Sequence, residues 1–133
     1  MKTYLIDDDH IGTYLTEQLL RAEGLTDSIH TFLSAEEGLQ ALLRDLPDEL
    51  PQLVLLDLNM PLMDGWQFLE ALAPYEAQLR DRCAIYILTS SLALSDLEKS
   101  RRFSLVAGLV HKPLDRGEIR AILAEFAPGP SVI

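Results

Sequence analysis

Short apolar runs alternate along the chain with segments that have the spacing of amphipathic helices, and this alternation constrains the fold more than any other feature. The runs are rich in leucine or β-branched residues, and each is too short for a buried helix. Five such runs lie at Tyr4–Ile6, Ile29–Leu33, Leu53–Leu56, Ala84–Leu88 and Leu105–Val110. Strands that are separated by helices and short connections run parallel through right-handed crossovers. The sequence therefore predicts a doubly wound α/β fold, in which a five-stranded parallel sheet has helices on both faces.

The segments between the predicted strands contain helix start and stop signals. The residues of the first helix that have the spacing of one buried face are Ile11, Tyr14, Leu15 and Leu19. The predicted N-terminal caps of the five helices are Asp9, Ser34, Asp64, Ser95 and Asp115. Gly24 is suited to the C-terminus of the first helix, and Pro74 is expected to end or kink the third.

The length of the chain allows one domain. A chain of 133 residues buries enough surface to fold without disulfides or a structural metal. The densest cluster of turn-forming residues is Pro128-Gly129-Pro130, close to the C-terminus. We therefore expect one domain over residues 1–127, a short tail over residues 128–133 and no output domain.

Charge and hydropathy exclude several classes of partner. Acidic residues outnumber basic ones 21 to 11, for a net charge of −10, which opposes binding to the phosphate backbone of nucleic acid. No apolar segment is long enough to span a membrane. The first predicted strand begins at Tyr4, which leaves no room for a secretion signal. We expect a cytoplasmic protein that binds neither nucleic acid directly nor a membrane.

Polar residues follow the predicted strands at the edge where ligand sites form in doubly wound sheets. The first strand ends at Asp7 and Asp8, the third at Asp57, the fourth at Thr89 and the fifth at Lys112. Clustered carboxylates resist ionisation unless a cation compensates them, and oxygen ligands with space for water suit Mg²⁺. The pattern predicts a Mg²⁺ site in which Asp57 is a nucleophile toward a phosphoryl group. Lys112 and Thr89 can each contact a phosphoryl oxygen.

Four sequence segments resemble the signature segments of response regulator receiver domains, in the same order and at the predicted strand ends. They are Ile6-Asp7-Asp8-Asp9, Leu55-Leu56-Asp57-Leu58-Asn59-Met60-Pro61-Leu62-Met63-Asp64-Gly65, Leu88-Thr89-Ser90 and Lys112-Pro113-Leu114. The resemblance covers essentially the whole chain. It implies the flavodoxin-like receiver fold with the strand order 2-1-3-4-5.

The resemblance also implies the acceptor and the metal ligands. Asp57 would accept a phosphoryl group from a sensor histidine kinase or a histidine phosphotransfer protein. Mg²⁺ would be held by Asp8, Asp57 and the Asn59 backbone carbonyl, and by Asp7 through a water molecule. Such a protein is not an enzyme beyond self-catalysed phosphotransfer and autodephosphorylation.

The resemblance further implies how the phosphoryl group is bound and sensed. Thr89, Ser90 and Lys112 would bind it, and the peptide bond between Lys112 and Pro113 would be cis. Three residues before the signature lysine, receivers usually carry Tyr or Phe, which turns inward as the threonine moves. This chain has Leu109 there, and leucine has no ring to bury or expose. The loop after Thr89 is therefore expected to relay the phosphorylation signal to the surface.

The resemblance places partners on two surfaces. The phosphodonor would dock on residues of the first helix and of the loop after the fifth strand, namely Ile11, Tyr14, Leu15, Pro113 and Leu114. An unknown downstream protein would bind the switched surface, which includes Leu97, Leu105, Leu109 and Arg116.

Three other functions are alternatives to the receiver interpretation. A phosphatase of the haloacid-dehalogenase kind also uses a strand-end Asp with Mg²⁺, but it needs a second acid where this chain has Asn59, and it has a cap domain. A flavodoxin needs a phosphate-binding loop after the first strand, where Asp7 and its neighbours would repel the phosphate. A phosphate-independent pseudo-receiver is expected to lack a pocket residue, and here none is missing.

Overall fold

The structure, a computed structural model, describes residues 2–25, 28–91 and 93–126 of the chain. The strands are β1 (Lys2–Ile6), β2 (Ser28–Phe32), β3 (Leu53–Asp57), β4 (Ala84–Thr89) and β5 (Val106–His111). The helices are α1 (His10–Ala22), α2 (Ala35–Arg44), α3 (Gly65–Leu72), α4 (Glu76–Leu79), α5 (Leu94–Ser100) and α6 (Arg116–Ala124). A 3-10 turn over Ala73–Tyr75 separates α3 from α4, as expected for a helix that meets Pro74. The predicted tail, residues 128–133, lies outside the described residues.

The five strands are parallel, and their order across the sheet is β2-β1-β3-β4-β5. The chain adds β2 on one side of β1 and the remaining strands on the other side, so the direction of winding reverses between β1 and β3. This topology confirms the predicted fold and strand order. Side chains that follow β1 and β3 therefore meet at the edge where such sheets bind ligands.

Helices cover both faces of the sheet, and two apolar clusters fill the space between the layers. One cluster joins the sheet to α2 and α3 and includes Ile6, Leu56, Ile87, Leu42 and Leu69. The other joins it to α1 and α6 and includes Leu5, Leu55, Leu88, Leu20 and Ile119. All of β3 is buried, as expected for a central strand covered on both faces. None of the described helices is long and apolar enough to cross a membrane.

Strand β5 has a bulge that determines the direction of the Leu109 side chain. Val106 pairs with Ile85 and Leu109 pairs with Ile87, so three steps along β5 match two steps along β4 and Ala107 is the extra residue. Because of the bulge, Val106 and Leu109 lie on the same side of the sheet. Both pack against the apolar cluster that joins the sheet to α2 and α3.

The predicted buried face of α1 is wrong. Ile11, Tyr14 and Leu15 are exposed by 73%, 60% and 55% of their surface, and Leu19 is only partly buried. The helix instead buries Thr13, Thr16 and Leu20. The small threonine side chains let α1 approach the end of β1, where the Thr13 hydroxyl donates to the Asp7 carbonyl at 3.4 Å. The apolar stripe of α1 is therefore a surface feature beside the carboxyl edge of the sheet.

Four of the five predicted helix caps are confirmed. Side-chain oxygens of Asp9, Ser34, Asp64 and Asp115 accept backbone N–H groups at the starts of α1, α2, α3 and α6. The predicted cap Ser95 is wrong, because α5 begins at Leu94 after Ala93, which makes no side-chain cap. This start keeps the hydrogen bond from the Leu97 N–H to the Ala93 carbonyl at 3.1 Å. A start after Ser95 would lose that bond.

Candidate functional site

Three carboxylates lie together beyond the carboxyl ends of β1 and β3. Asp7 and Asp8 follow β1, and Asp57 is the last residue of β3. One oxygen from each side chain lies within 4.8 Å of the other two. Asp7 and Asp57 are buried, whereas Asp8 is exposed. The Asp9 N–H donates to Asp7 Oδ1 at 3.0 Å, which helps to fix the Asp7 carboxylate in the interior.

Lys112, from the end of β5, provides the positive charge of the cluster. Its Nζ atom lies 3.2 Å from Asp7 Oδ2 and 3.1 Å from Asp57 Oδ1. Its backbone N–H donates to the Thr89 carbonyl at 2.8 Å, which ties the ends of β4 and β5 together. The peptide bond between Lys112 and Pro113 is cis. The structure thus brings the lysine between the two buried carboxylates.

The cluster has more negative than positive charge. Burial raises the pKa of Asp57 to about 6, and repulsion from Asp7 adds to this rise, whereas Lys112 opposes it. Burial alone would lower the pKa of Lys112, but attraction to Asp7 and Asp57 outweighs it and raises the pKa above its ordinary value. One ammonium therefore does not offset three carboxylates, and a divalent cation would supply the missing charge.

The donor set fits Mg²⁺. Carboxylate oxygens are the hard ligands that this ion prefers, and it usually keeps several of its waters. The exposed side of the cluster at Asp8 leaves room for those waters, and Asn59 lies exposed in the loop after β3. Among the described residues, no other group of three His, Cys, Asp or Glu side chains is brought together in this way.

The Thr89 hydroxyl is bonded to the loop that follows β4. Thr89 is buried, and its Oγ1 atom donates to the Ser91 carbonyl at 2.8 Å and accepts the Ser91 N–H at 3.1 Å. A hydroxyl has one hydrogen to donate. Thr89 would therefore have to release the Ser91 carbonyl before it could donate to a phosphoryl oxygen. The sequence places Thr89 and Ser91 at the end of the same strand but does not reveal the bonds between them, because this turn depends on the backbone path of the loop.

A cavity of about 290 Å³ adjoins the carboxylates. Its polar wall is formed by Asp7, Ser90 and Lys112, and its apolar wall by Leu15, Leu19 and Leu114. The apolar wall is continuous with the exposed stripe of α1, which contains Leu15. Apolar surface therefore begins directly beside the charged site.

Gly65 is a site residue that sequence reasoning did not single out. A Cβ atom at this position would lie 2.9 Å from the Asp57 carbonyl oxygen and 3.0 Å from the Leu58 Cα atom. The Gly65 N–H donates to the Leu58 carbonyl at 2.9 Å. Glycine thus lets the start of α3 lie directly against the backbone of Asp57. The Asp64-Gly65 pair that ends the second signature segment is the signal that could have revealed it.

A parallel sheet with an acid pocket at its winding reversal, and a lysine from the last strand inside that pocket, is the arrangement that the resemblance to receiver domains predicts. The sequence model of the response regulator receiver domain family matches residues 4–124. The chain belongs to this family, whose members are the phosphoacceptors of two-component systems and bind Mg²⁺ at an acidic pocket.

Relatives of known identity agree with this assignment. Sporulation initiation phosphotransferase F of Bacillus subtilis (strain 168) is 30% identical over 127 residues, which are 96% of this chain and 94% of the relative. The structure of a response regulator receiver protein from Dyadobacter fermentans DSM 18053 matches with a TM-score of 0.81 at 29% identity. The match covers 95% of this chain and 97% of that protein's chain. A two component response regulator from Cytophaga hutchinsonii has a TM-score of 0.85 at 23% identity, over 93% and 94% of the two chains, and supports the fold alone.

Proposed function

We propose that the chain is a phosphorylation-dependent switch whose phosphoryl acceptor is Asp57. The observation that carries the proposal is the position of Lys112 Nζ, 3.1 Å from Asp57 Oδ1 and 3.2 Å from Asp7 Oδ2. A carboxylate nucleophile needs a fixed positive group where negative charge develops on the transferred group. An ammonium held beside the acceptor meets this need.

In the proposed reaction, an Asp57 oxygen attacks the phosphorus atom of a phosphohistidine. The new P–O bond forms as the P–N bond breaks, and the leaving imidazole nitrogen keeps the electron pair and takes up a proton. Lys112 then donates a hydrogen bond to an oxygen of the transferred group. Water reverses the modification by attacking phosphorus, which breaks the bond to Asp57 and releases inorganic phosphate.

Asp8, Asp57 and the Asn59 backbone carbonyl would hold Mg²⁺, with Asp7 acting through a water molecule. When bound, the ion neutralises the carboxylates and the phosphoryl oxygens as a Lewis acid. This ligand set is supported by the three carboxylate oxygens within 4.8 Å of one another. The exposure of Asp8 gives the ion and its waters access from solvent.

The proposed switch is an exchange of partners by the Thr89 hydroxyl. Thr89 would release the Ser91 carbonyl and, together with Ser90 and Lys112, bind the phosphoryl group. The loop between β4 and α5 would then change conformation, and phosphorylation would shift an equilibrium between two states. Leu109 has no ring to reorient, so in this proposal the signal leaves the site through that loop.

The proposed phosphodonor is a sensor histidine kinase or a histidine phosphotransfer protein. It would bind the stripe of Ile11, Tyr14 and Leu15 and the adjoining loop at Pro113. The Leu114 side chain, which the sequence prediction included, is buried in the core. The stripe is exposed, and an apolar surface beside a charged site is typical of a protein-binding surface. Because a relative is named a phosphotransferase, passage of the phosphoryl group to another protein is part of the proposal.

The proposed output is contact with a separate protein on the surface formed by α5, β5 and α6. This surface includes Leu97, Leu109 and Arg116. Leu105, which the sequence prediction also placed there, is buried in the core cluster that joins the sheet to α2 and α3 and is not part of it. A groove of about 340 Å³ between α5 and β5, lined in part by Leu97 and Leu109, supports the choice of this surface.

Treatment with acetyl phosphate and Mg²⁺ tests the proposed chemistry, and the mass of the intact protein shows how many phosphoryl groups it has gained. We expect wild-type protein and the surface control Asp48→Asn to gain one phosphoryl group, and Asp57→Asn to gain none. Equal labelling of Asp57→Asn would move the acceptor elsewhere. Wild-type protein that gains no phosphoryl group would favour a phosphate-independent interaction module. Repeated turnover of a phosphate monoester would favour a phosphatase.

A further inference from the structure

A stacked pair of aromatic rings joins the start of α3 to the end of α5. The ring centroids of Trp66, in the first turn of α3, and Phe103, in the turn after α5, lie 5.9 Å apart with an angle of 25° between the ring planes. The ammonium of Lys99, in the last turn of α5, lies 4.9 Å from the centroid of the Trp66 ring. Stacked rings and a cation over an aromatic face both attract each other. We call Trp66, Phe103 and Lys99 the aromatic clamp.

Helix α5 buries little of its own surface. It has seven residues, which is too short for a helix that is stable in isolation. Its start has no side-chain cap, and Ser100 is its one buried residue. Leu94 and Leu97 expose 67% and 39% of their surface. The aromatic clamp is therefore a substantial part of the contact between α5 and the rest of the protein.

The aromatic clamp connects a fixed part of the site to a part that the proposed switch moves. Trp66 directly follows Gly65, whose backbone lies against the Asp57 carbonyl, and a capping box fixes the start of α3. Helix α5 instead follows the loop in which Thr89 is bonded to Ser91. When Thr89 releases Ser91, the path of that loop changes and α5 shifts relative to α3. The Trp66 ring then loses its neighbours on α5.

The aromatic clamp lies beside Leu109, the position where receivers usually carry an aromatic ring. Leu109, Trp66 and Phe103 all pack against the apolar cluster that joins the sheet to α2 and α3. Phe103 and Leu109 also line the groove between α5 and β5. Aromatic surface is therefore present next to Leu109, but α3 and the turn after α5 provide it instead of β5.

We infer that the aromatic clamp senses the phosphorylated state of this chain and takes the place of the ring that is missing at Leu109. In the unphosphorylated protein the clamp holds α5 against α3. Phosphorylation of Asp57 moves the loop after β4, and α5 withdraws Phe103 and Lys99 from the Trp66 ring. Because Phe103 lines the groove between α5 and β5, the same movement reshapes the proposed output surface. The inference rests on the proposed function, since only phosphorylation of Asp57 drives this movement.

Fluorescence of Trp66 is the first test, because Trp66 is the only tryptophan in the chain. The probe is beryllofluoride with Mg²⁺, which mimics a phosphoryl group on an aspartate. The ring should become more exposed to water, so we expect the emission maximum of wild-type protein to move to longer wavelength and that of Asp57→Asn to stay unchanged. Wild-type protein that binds beryllofluoride in calorimetry without a change in emission would overturn the inference.

Three substitutions in and after α5 test whether the clamp opposes the phosphorylated state. Lys99→Met removes the cation from the Trp66 ring, and Lys99→Arg keeps a cation there. Arg102→Met is the matched control, because it removes the same charge from an exposed residue in the turn after α5. The quantity measured is the dissociation constant of beryllofluoride, by calorimetry with saturating Mg²⁺.

We expect Lys99→Met to lower this dissociation constant about threefold, because loss of the cation weakens the state that does not bind the probe. Lys99→Arg and Arg102→Met should stay close to wild type. An unchanged constant in Lys99→Met, or an equal decrease in Arg102→Met, would also overturn the inference. Wild-type protein that binds no beryllofluoride would instead overturn the proposed function, on which the inference rests.

Discussion

Replacing Asp57 with Asn removes a buried negative charge, and we expect it to stabilise the protein when Mg²⁺ is absent. Burial, together with repulsion from Asp7, raises the pKa of Asp57 to about 6, against an ordinary value of about 4. One pKa unit corresponds to 1.36 kcal/mol, so the shift corresponds to about 3 kcal/mol of unfolding free energy. The amide of Asn has a similar shape and no charge, so the variant avoids this cost.

The expected gain depends on pH in a defined direction. Below about pH 4 the Asp57 carboxyl is protonated in both the folded and the unfolded state and contributes nothing. As the pH rises from about 4 to about 6, the unfolded state releases this proton while the folded state keeps it, so the stability of the wild type falls. Above about pH 6 the Asp57 carboxylate is charged in both states, and the full destabilisation by its buried charge is present. The difference in unfolding free energy between Asp57→Asn and wild type should therefore grow as the pH rises from about 4 to about 6 and stay constant at higher pH.

Urea unfolding in the presence of a chelator measures this difference. Wild type, Asp57→Asn and the exposed control Asp48→Asn are unfolded near pH 4 and near neutral pH. The unfolding free energies are compared with the same dependence on urea concentration for all three proteins. The control should differ from wild type by less than about 0.5 kcal/mol. Added Mg²⁺ should stabilise the wild type far more than Asp57→Asn. An Asp57→Asn variant that is no more stable than wild type at neutral pH, or a difference that does not change with pH, would refute the reasoning.

Three further substitutions test other contacts of the site. Gly65→Ala places a Cβ atom 2.9 Å from the Asp57 carbonyl oxygen and should lower the unfolding free energy by about 2 kcal/mol in urea; a neutral effect would contradict the close approach. Thr89→Val removes both hydrogen bonds with Ser91, so amide hydrogen exchange in the loop after β4 should no longer respond to phosphorylation, and a response like that of wild type would contradict the switch. Lys112→Met removes an attraction that lowers the pKa of Asp57, so an NMR titration should place that pKa above about 6; an unchanged value would rule out the ion pair.

The sheet and the acid cluster could be predicted because they depend on periodic patterns. Alternating strands and helices with short connections allow few topologies, and the carboxyl ends of parallel strands meet at one edge. The sequence alone therefore predicts that Asp7, Asp57 and Lys112 lie together, and in the structure Lys112 Nζ is within ion-pair distance of both carboxylates.

The spacing of apolar residues does not say what covers them. The stripe of α1 has the period of a core-facing helix, but the structure leaves Ile11, Tyr14 and Leu15 in solvent and buries threonines. A surface that binds another protein has the same sequence period as a surface that packs on the protein's own core. One sequence cannot distinguish the two cases.

Loop conformations were the other part of the site that the sequence did not reveal. The start of α5 at Leu94 and the bonds between Thr89 and Ser91 depend on the backbone path of the loop after β4, which the sequence pattern does not specify. The local signal favours Ser95 as the N-cap of α5, and therefore a start after Ser95. The structure instead starts the helix earlier, which adds the backbone hydrogen bond from the Leu97 N–H to the Ala93 carbonyl.

The central claim, that Asp57 carries the phosphoryl group, is tested most directly by locating the modified residue. Protein treated with acetyl phosphate and Mg²⁺ is reduced with borohydride, which converts an aspartyl phosphate to homoserine, and its peptides are sequenced by mass spectrometry. Our account predicts homoserine in place of Asp57 and intact aspartate at Asp7 and Asp8. Homoserine in place of Asp7 or Asp8, with Asp57 intact, would contradict it.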